Sequence, residues 1–189
     1  MIGKKNIVFG FIYLALTAFL GAVMILGYFD ERRAAESAGK EKLGILQQIA
    51  ADNYEVNLEP VKPLDLAKAN TEAILALSAQ NNAQKPINRI KSGPHTHGTA
   101  AGLLNIAVGF LLMFLAVPAW FKQLISWLFI AGALLWSGML YLLFGLGQSW
   151  AAVLLNGPPG AIGPGLTLLG LVLAGIAAAI GLRSAPVQD

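Results

Sequence analysis

The chain has 189 residues, of which 56% are hydrophobic and only 12% are charged. Soluble domains average about 25% charged residues, so this composition excludes an ordinary water-soluble domain. The sequence contains no cysteine, which excludes disulfides, thiolate metal sites, thioether-linked haem and cysteine nucleophiles.

Four stretches of the chain reach the roughly 20 apolar residues that a helix needs to cross a bilayer. They are residues 6–29, 98–117, 123–146 and 163–182. Because no water is present at that depth to bond the backbone, each stretch is predicted to be helical. We therefore predict an all-α fold, an integral membrane bundle of four transmembrane helices, with the first helix in residues 1–29.

The positive charges outside the central segment predict the topology. The formal net charge is +3, and the surplus cations are Lys4, Lys5, Lys122 and Arg183, which lie at the ends of apolar stretches. Four crossings place all of them on one side, and the positive-inside rule makes that side the cytoplasm. We predict a multi-pass protein of the plasma (bacterial inner) membrane with both termini cytoplasmic, residues 183–189 being a cytoplasmic tail. The first stretch is longer than a signal-peptide core and is predicted to be retained.

Residues 30–92 are predicted to form an external segment. Their nine acidic and nine basic residues cancel, so the pI of about 9.3 does not indicate a nucleic-acid-binding face. Pro60 and Pro63 separate two weakly periodic apolar stretches and favour an extended connection. We predict an external helical hairpin between helices 1 and 2, with a partly disordered loop as the alternative. The apolar positions are Leu43, Leu46, Ile49 and Ala50, then Leu66, Ala73, Ile74 and Leu77.

The connection between the last two spans, residues 147–162, carries no charge and is rich in glycine and proline. Gly157-Pro158-Pro159-Gly160 is followed by Gly163-Pro164-Gly165. Proline fixes φ and removes a backbone donor, so this pattern predicts a stiff loop without continuous helix.

Both histidines of the chain, His95 and His97, lie where the second span begins. Ionisable groups near the membrane core are functional candidates by default. Two residues apart on a helix, their side chains diverge by about 200°, so at most one is expected to face the bundle interior.

Small residues follow the histidines, with Gly98 and Gly102 forming a G-x-x-x-G pair. One interpretation is close approach of another helix. The other is a flat ligand lying on the bare helix surface beside an imidazole, and non-covalent haem b has this shape and takes a histidine ligand. Zinc is disfavoured because no carboxylate lies nearby in the sequence, and a hydrolytic triad is disfavoured for the same reason. The remaining polar residues at membrane depth are predicted mostly to bond helices to each other: Asn105, Ser126, Ser137, Tyr141, Gln148 and Thr167.

The stretch from His95 to Leu182 resembles the styrene-oxide isomerase family of small four-span membrane enzymes. Three features carry the likeness, and they follow one another in the family's order. They are a histidine seven residues before Gly102-Leu103-Leu104-Asn105-Ile106-Ala107-Val108-Gly109-Phe110, a span ending in Gly138-Met139-Leu140-Tyr141-Leu142-Leu143-Phe144, and an outer loop with one Gly-Pro pair before Gly163-Pro164-Gly165. The likeness covers about half of the chain.

This resemblance implies a homotrimer in which haem b lies between subunits, with His95 as the iron ligand and His97 as the alternative. The cofactor-binding residues are then His95, His97, Gly98, Thr99 and Gly102, in a haem-binding region spanning residues 93–182. In that family, ferric iron acts as a Lewis acid on an epoxide oxygen, and ring opening with a hydride shift yields an aldehyde.

The catalytic residues of that family match this chain less closely. The family's asparagine before Gly102 is Ala101 here, and its tyrosine falls on Leu140. Asn105 and Tyr141 are the nearest substitutes and are the predicted catalytic residues, acting on a small apolar substrate. Two further hypotheses are a non-catalytic haem or electron-transfer protein and an accessory subunit of a larger membrane complex.

Overall fold

A computed structural model describes residues 2–187 of the chain. These residues cluster into two compact units, one of residues 2–22 with 89–187 and one of residues 23–88. Apart from one two-stranded ribbon the structure is helical, and four helices in the described residues are long and apolar enough to cross a membrane. The predicted all-α class, with four helices able to span a membrane by length and composition, is thereby confirmed, while the external hairpin, the membrane type and the orientation stay predictions.

The helices have different bounds from the predicted spans. The elements are α1 (Gly3–Ala51), β1 (Glu55–Val56), β2 (Glu59–Pro60), α2 (Pro63–Ile90), α3 (Thr96–Met113), α4 (Ala119–Ala133), α5 (Trp150–Asn156) and α6 (Pro158–Gly181). Three π-helical segments, Lys91–His95, Leu134–Gly138 and Tyr141–Gly145, prolong the membrane helices. The first helix does not end near residue 29, because the Ala-, Glu- and Lys-rich sequence that follows favours helix as far as Ala51.

The unit of residues 23–88 contains the second part of α1 and most of α2. Lys42 of α1 and Glu72 of α2 form an ion pair of 3.0 Å. Between the helices, β1 and β2 pair antiparallel around Asn57 and Leu58, which both have positive φ. The extended connection predicted from Pro60 and Pro63 is confirmed, with Pro63 opening α2. That this segment lies outside the membrane stays a prediction.

The predicted loop at residues 147–162 is wrong. It contains α5, and α6 begins at Pro158. Prolines at the first positions of a helix cost no hydrogen bond, because the first N–H groups have no intrahelical acceptor. Pro164 lies inside α6. A transmembrane helix tolerates such a proline where neighbouring groups satisfy the backbone.

In the unit of residues 2–22 and 89–187, called the membrane unit below, the ends of the helices that carry the cations meet on one side. The backbone N–H of Arg183 donates to the carbonyl of Phe114 at 2.9 Å, which joins the ends of α6 and α3. The Lys5 ammonium donates to the side chain of Gln123, which joins the starts of α1 and α4. The cations used to predict the topology therefore lie at one end of the bundle, as four crossings require. Lys122, in contrast to an exposed anchor, is only 1% exposed.

The first helix contacts the bundle through a strict heptad stripe. The buried residues of its first part are Gly3, Asn6, Gly10, Tyr13, Thr17 and Leu20. Alternating steps of three and four residues keep one face of a helix turned toward the bundle. The glycines of this stripe pack on α3, which runs antiparallel and presents Gly102 and Gly109, and its Asn6 and Tyr13 also bond to α4. A Cβ placed at Gly10 would lie 2.7 Å from the Gly102 carbonyl oxygen. The two backbones are therefore in direct contact.

We predict that Gly10→Ala destabilises the bundle by about 1–3 kcal/mol, the usual cost of overpacking. The added methyl meets backbone atoms of Gly102 and Ile106, which have no side-chain freedom to yield. Thermal unfolding in detergent followed by circular dichroism measures the change. Gly175→Ala on α6 is the matched control, because nothing lies within 4 Å of the added carbon. Equal stability of the two variants would contradict the contact.

Candidate functional site

A break in the helix positions His95 at the start of α3. The π-helical segment Lys91–His95 contains Pro94, and Gly93 has non-helical angles of φ −90° and ψ −106°. Proline has no N–H to continue the ladder and clashes with the preceding turn, which widens the helix. The site thus begins at a local distortion of the backbone that the Gly93-Pro94 pair produces.

The imidazole of His95 is anchored on the first helix. Its Nδ1 lies 3.0 Å from the backbone carbonyl oxygen of Thr17. A carbonyl oxygen only accepts hydrogen bonds, so Nδ1 carries the proton. In the neutral ring Nε2 then holds the lone pair. This is the arrangement in which protein histidines ligate metal ions, with the second nitrogen donating to a carbonyl or carboxylate.

Two features bear on His95, namely Gly21 of α1, which contacts its ring, and Thr99, which follows it by one helical turn. A Cβ at Gly21 of α1 would lie 3.6 Å from Cε1 of His95, which is ordinary contact distance. Thr99 lies one turn after His95, and its Oγ1 is buried without a hydrogen-bond partner among the described residues. A buried hydroxyl in this condition is costly, and a bound group with a polar atom would relieve the cost.

The two glycines after the histidines face α1. A Cβ at Gly102 would lie 3.1 Å from the Gly10 carbonyl oxygen, and one at Gly98 would lie 2.9 Å from Cβ of Thr17. Of the two interpretations of the G-x-x-x-G pair, the helix contact is the one that the geometry shows. A porphyrin cannot lie directly on these glycines, because α1 already covers them.

His97 points to a different part of the unit. Its ring meets that of Trp136 edge to face, with centroids 5.8 Å apart and planes at 72°. It lines an open crevice of about 400 Å³ between α3, the segment Leu134–Gly138 and α6. The predicted divergence of the two histidines is confirmed, since His95 bonds to Thr17 of α1 whereas His97 meets Trp136. They do not form one two-histidine site.

A buried cluster of two amide side chains and a serine, further along α3 than His95, joins three helices. Nδ2 of Asn6 donates to Oδ1 of Asn105 at 3.0 Å and to the Ser126 carbonyl at 3.1 Å. The Ser126 hydroxyl donates to Oδ1 of Asn6, and Nδ2 of Asn105 donates to the carbonyls of Ala101 and Phe129. Every polar group of the two amides therefore has a partner within the protein.

The predicted catalytic residues are not brought together. Asn105 is 1% exposed and fully hydrogen-bonded. It follows His95 by ten residues, which is about 15 Å along a helix. Tyr141 lines a separate crevice of about 340 Å³ with Tyr13, Leu16 and Gly138. The geometry places Asn105 in the bundle interior as a link between helices and leaves Tyr141 as the candidate that faces open space.

Asn6, Tyr13 and Thr17 of the first helix take part in the polar contacts but did not emerge from the sequence patterns. The Tyr13 hydroxyl lies 2.8 Å from Oγ of Ser137, which in turn donates to the Ala133 carbonyl. The signal that could have found these residues is their spacing of seven and four, with Gly3 and Gly10 at the heptad position of Thr17. Polar residues on one stripe of an apolar span indicate a helix contact.

The ligand set limits which cofactor is compatible. Within residues 2–187, no group of three or more His, Asp or Glu side chains comes together to hold a metal ion. Zinc sites need three or four protein ligands, whereas haem needs one axial ligand because the porphyrin supplies four nitrogens. Comparison with protein-family models, with curated proteins and with solved structures finds no match to this chain.

We predict that Asn105→Leu destabilises the bundle by about 1–2 kcal/mol, within the range found for hydrogen bonds between membrane helices. The variant removes one of the two acceptors of the buried Asn6 amide and the hydrogen bond that Asn105 donates to the Phe129 carbonyl. Chemical unfolding of the wild type, Asn105→Leu, Asn6→Leu and the double variant gives the coupling energy. Additive effects of the two substitutions would contradict the direct amide contact.

Proposed function

We propose that this chain is an integral membrane protein that binds haem b through Nε2 of His95. One observation carries the proposal, namely the hydrogen bond from Nδ1 of His95 to the Thr17 carbonyl. The hydrogen bond restricts rotation of the ring and leaves Nε2, which holds the lone pair, as the nitrogen that can bind iron. The orphaned Thr99 hydroxyl one turn away and the resemblance to the styrene-oxide isomerase family add support.

The residues present meet one requirement of haem b, which is a histidine nitrogen to bind the iron. His95 would hold the iron through Nε2, while its Nδ1 is bonded to the Thr17 carbonyl. Gly98 and Gly102 act instead through α1, by allowing Thr17 to approach His95. When bound, ferric haem supplies a Lewis acid that polarises an oxygen atom of a substrate. The chain's own part would be to hold the imidazole in position through the Thr17 carbonyl.

The other haem-related expectations belong to the same proposal. A homotrimer in the bacterial inner membrane, with both termini in the cytoplasm and residues 30–92 outside, follows from the resemblance and from the charge pattern. The structure describes one copy. An oligomer is testable by the mass of the purified particle, and the topology by labelling of introduced cysteines, since the chain has none of its own.

We predict that the wild-type protein, purified in detergent after haem supplementation, shows a Soret absorption band. His95→Ala is expected to lose most of the bound haem, and His97→Ala is the matched control that keeps it, because its ring faces another crevice. Added imidazole should restore the band in His95→Gly. A wild type without a Soret band would end the proposal, and loss in His97→Ala alone would transfer the ligand to that residue.

Epoxide isomerisation is the activity that the resemblance attaches to such a protein. Tyr141, at the apolar crevice, is the residue available to orient a small apolar epoxide, whereas Asn105 is already saturated with hydrogen bonds. A non-catalytic haem protein is the alternative that this saturation favours.

We predict that, if the haem-loaded protein converts styrene oxide to phenylacetaldehyde, Tyr141→Phe lowers the turnover number more than Asn105→Ala does at equal haem content. Gas chromatography of the product measures the rate. Absence of product from the loaded wild type, together with reversible reduction and reoxidation of the iron, would favour the electron-transfer alternative.

A further inference from the structure

We infer that the first helix is part of the His95 site, with Thr17 as a positioning residue that fixes the tautomer and direction of the ligand imidazole. The inference rests on the proposed haem function and deepens it. Helix α1 lies outside the stretch from His95 to Leu182 that carries the family resemblance, so the role comes from the geometry of this chain alone.

The heptad register places Thr17 opposite His95. Gly3 faces Gly109 and Gly10 faces Gly102, each pair in mutual backbone contact. Moving seven residues further along both antiparallel helices pairs Thr17 with His95, and their hydrogen bond occupies that position. Side chains normally hold helix axes about 8–10 Å apart, and the glycine pairs remove them. This close approach lets the imidazole of one helix reach the backbone carbonyl of the other.

The hydroxyl group of Thr17 bonds to the preceding turn of α1 and not to His95. Its Oγ1 donates to the Tyr13 carbonyl at 3.0 Å and to the Leu14 carbonyl at 3.2 Å. The hydroxyl is therefore engaged within α1, and the Thr17 carbonyl remains available to His95. The methyl group Cγ2 points instead at Gly98, where an added Cβ would overlap it. Contact between Thr17 and Gly98 thus sets the separation of the helices beside the ligand.

Because of this geometry, the hydrogen bond from His95 to Thr17 is expected to weaken when a single methyl group is added at Gly98. In Gly98→Ala the new Cβ overlaps Cγ2 and approaches Cβ of Thr17, so α1 has to move away from α3. The Nδ1 to carbonyl distance of 3.0 Å then lengthens toward the limit of a hydrogen bond. Without this partner the proton is free to move to Nε2, and the donor atom is lost in part of the population.

The decisive experiment adds a methyl group at Gly98 and removes one from Thr17, the residue that Gly98 contacts. Gly98→Ala is expected to lower haem affinity about 10–100-fold, the usual effect of losing the hydrogen bond that orients a metal-binding histidine. Thr17→Ser removes Cγ2 and keeps the hydroxyl, so the double variant should recover affinity to within about threefold of the wild type. Gly27→Ala on α1, where nothing lies within 4 Å of the added carbon, is the matched control and should bind haem like the wild type. A double variant no better than Gly98→Ala would overturn the inference.

A second measurement needs no haem. Nitrogen NMR of the haem-free protein, labelled at histidine and assigned by comparison with His97→Gln, reports which nitrogen of His95 carries the proton. The wild type and the double variant are expected to show protonated Nδ1, and Gly98→Ala a mixture. Protonated Nε2 in the wild type would overturn the inference even if haem binds. Protonated Nδ1 in a protein that never takes up haem would refute the proposed function and leave the orientation by Thr17 in place.

Discussion

The backbone contact between α1 and α3 is the constraint on which the rest of the membrane unit depends. Gly10 and Gly102 touch without intervening side chains, and Gly3 and Gly109 repeat the contact two turns away. In a bilayer the hydrophobic effect gives no drive for helices to associate, so close packing and hydrogen bonds must supply it. The glycine stripe supplies the packing, and it brings Asn6 to Asn105 and Thr17 to His95 at hydrogen-bond distance.

Composition was enough to predict the number and type of the spanning elements, because only helices satisfy the backbone in lipid. It was not enough to predict their ends. No glycine-proline pair or strong breaker follows Phe29, so α1 continues to Ala51 as one helix. The opposite error occurred before α6, where Pro158 and Pro159 suggested a loop but occupy a first turn in which proline is favoured.

The candidate site was predicted in part. The angle between His95 and His97 follows from helix geometry alone, and the structure places them in different surroundings. The partner of His95 could not be predicted, because it is a backbone carbonyl 78 residues away and carries no mark of its own in the sequence. Asn105 was assigned a role in catalysis on the basis of a likeness, whereas its partners lie on α1 and α4, whose pairing with α3 depends on the tertiary fold.

The amide cluster also bears on how the chain is assembled during synthesis. Asn6 enters the bilayer with the first helix, yet its partners lie 99 and 120 residues later in the chain. Until Asn105 and Ser126 have been made and inserted, the amide of Asn6 lacks the hydrogen-bond partners that it has in the folded chain. At about 5–20 residues per second, this interval lasts several seconds or more. The first helix therefore passes this interval without the contacts to α3 and α4 that hold it in the folded bundle.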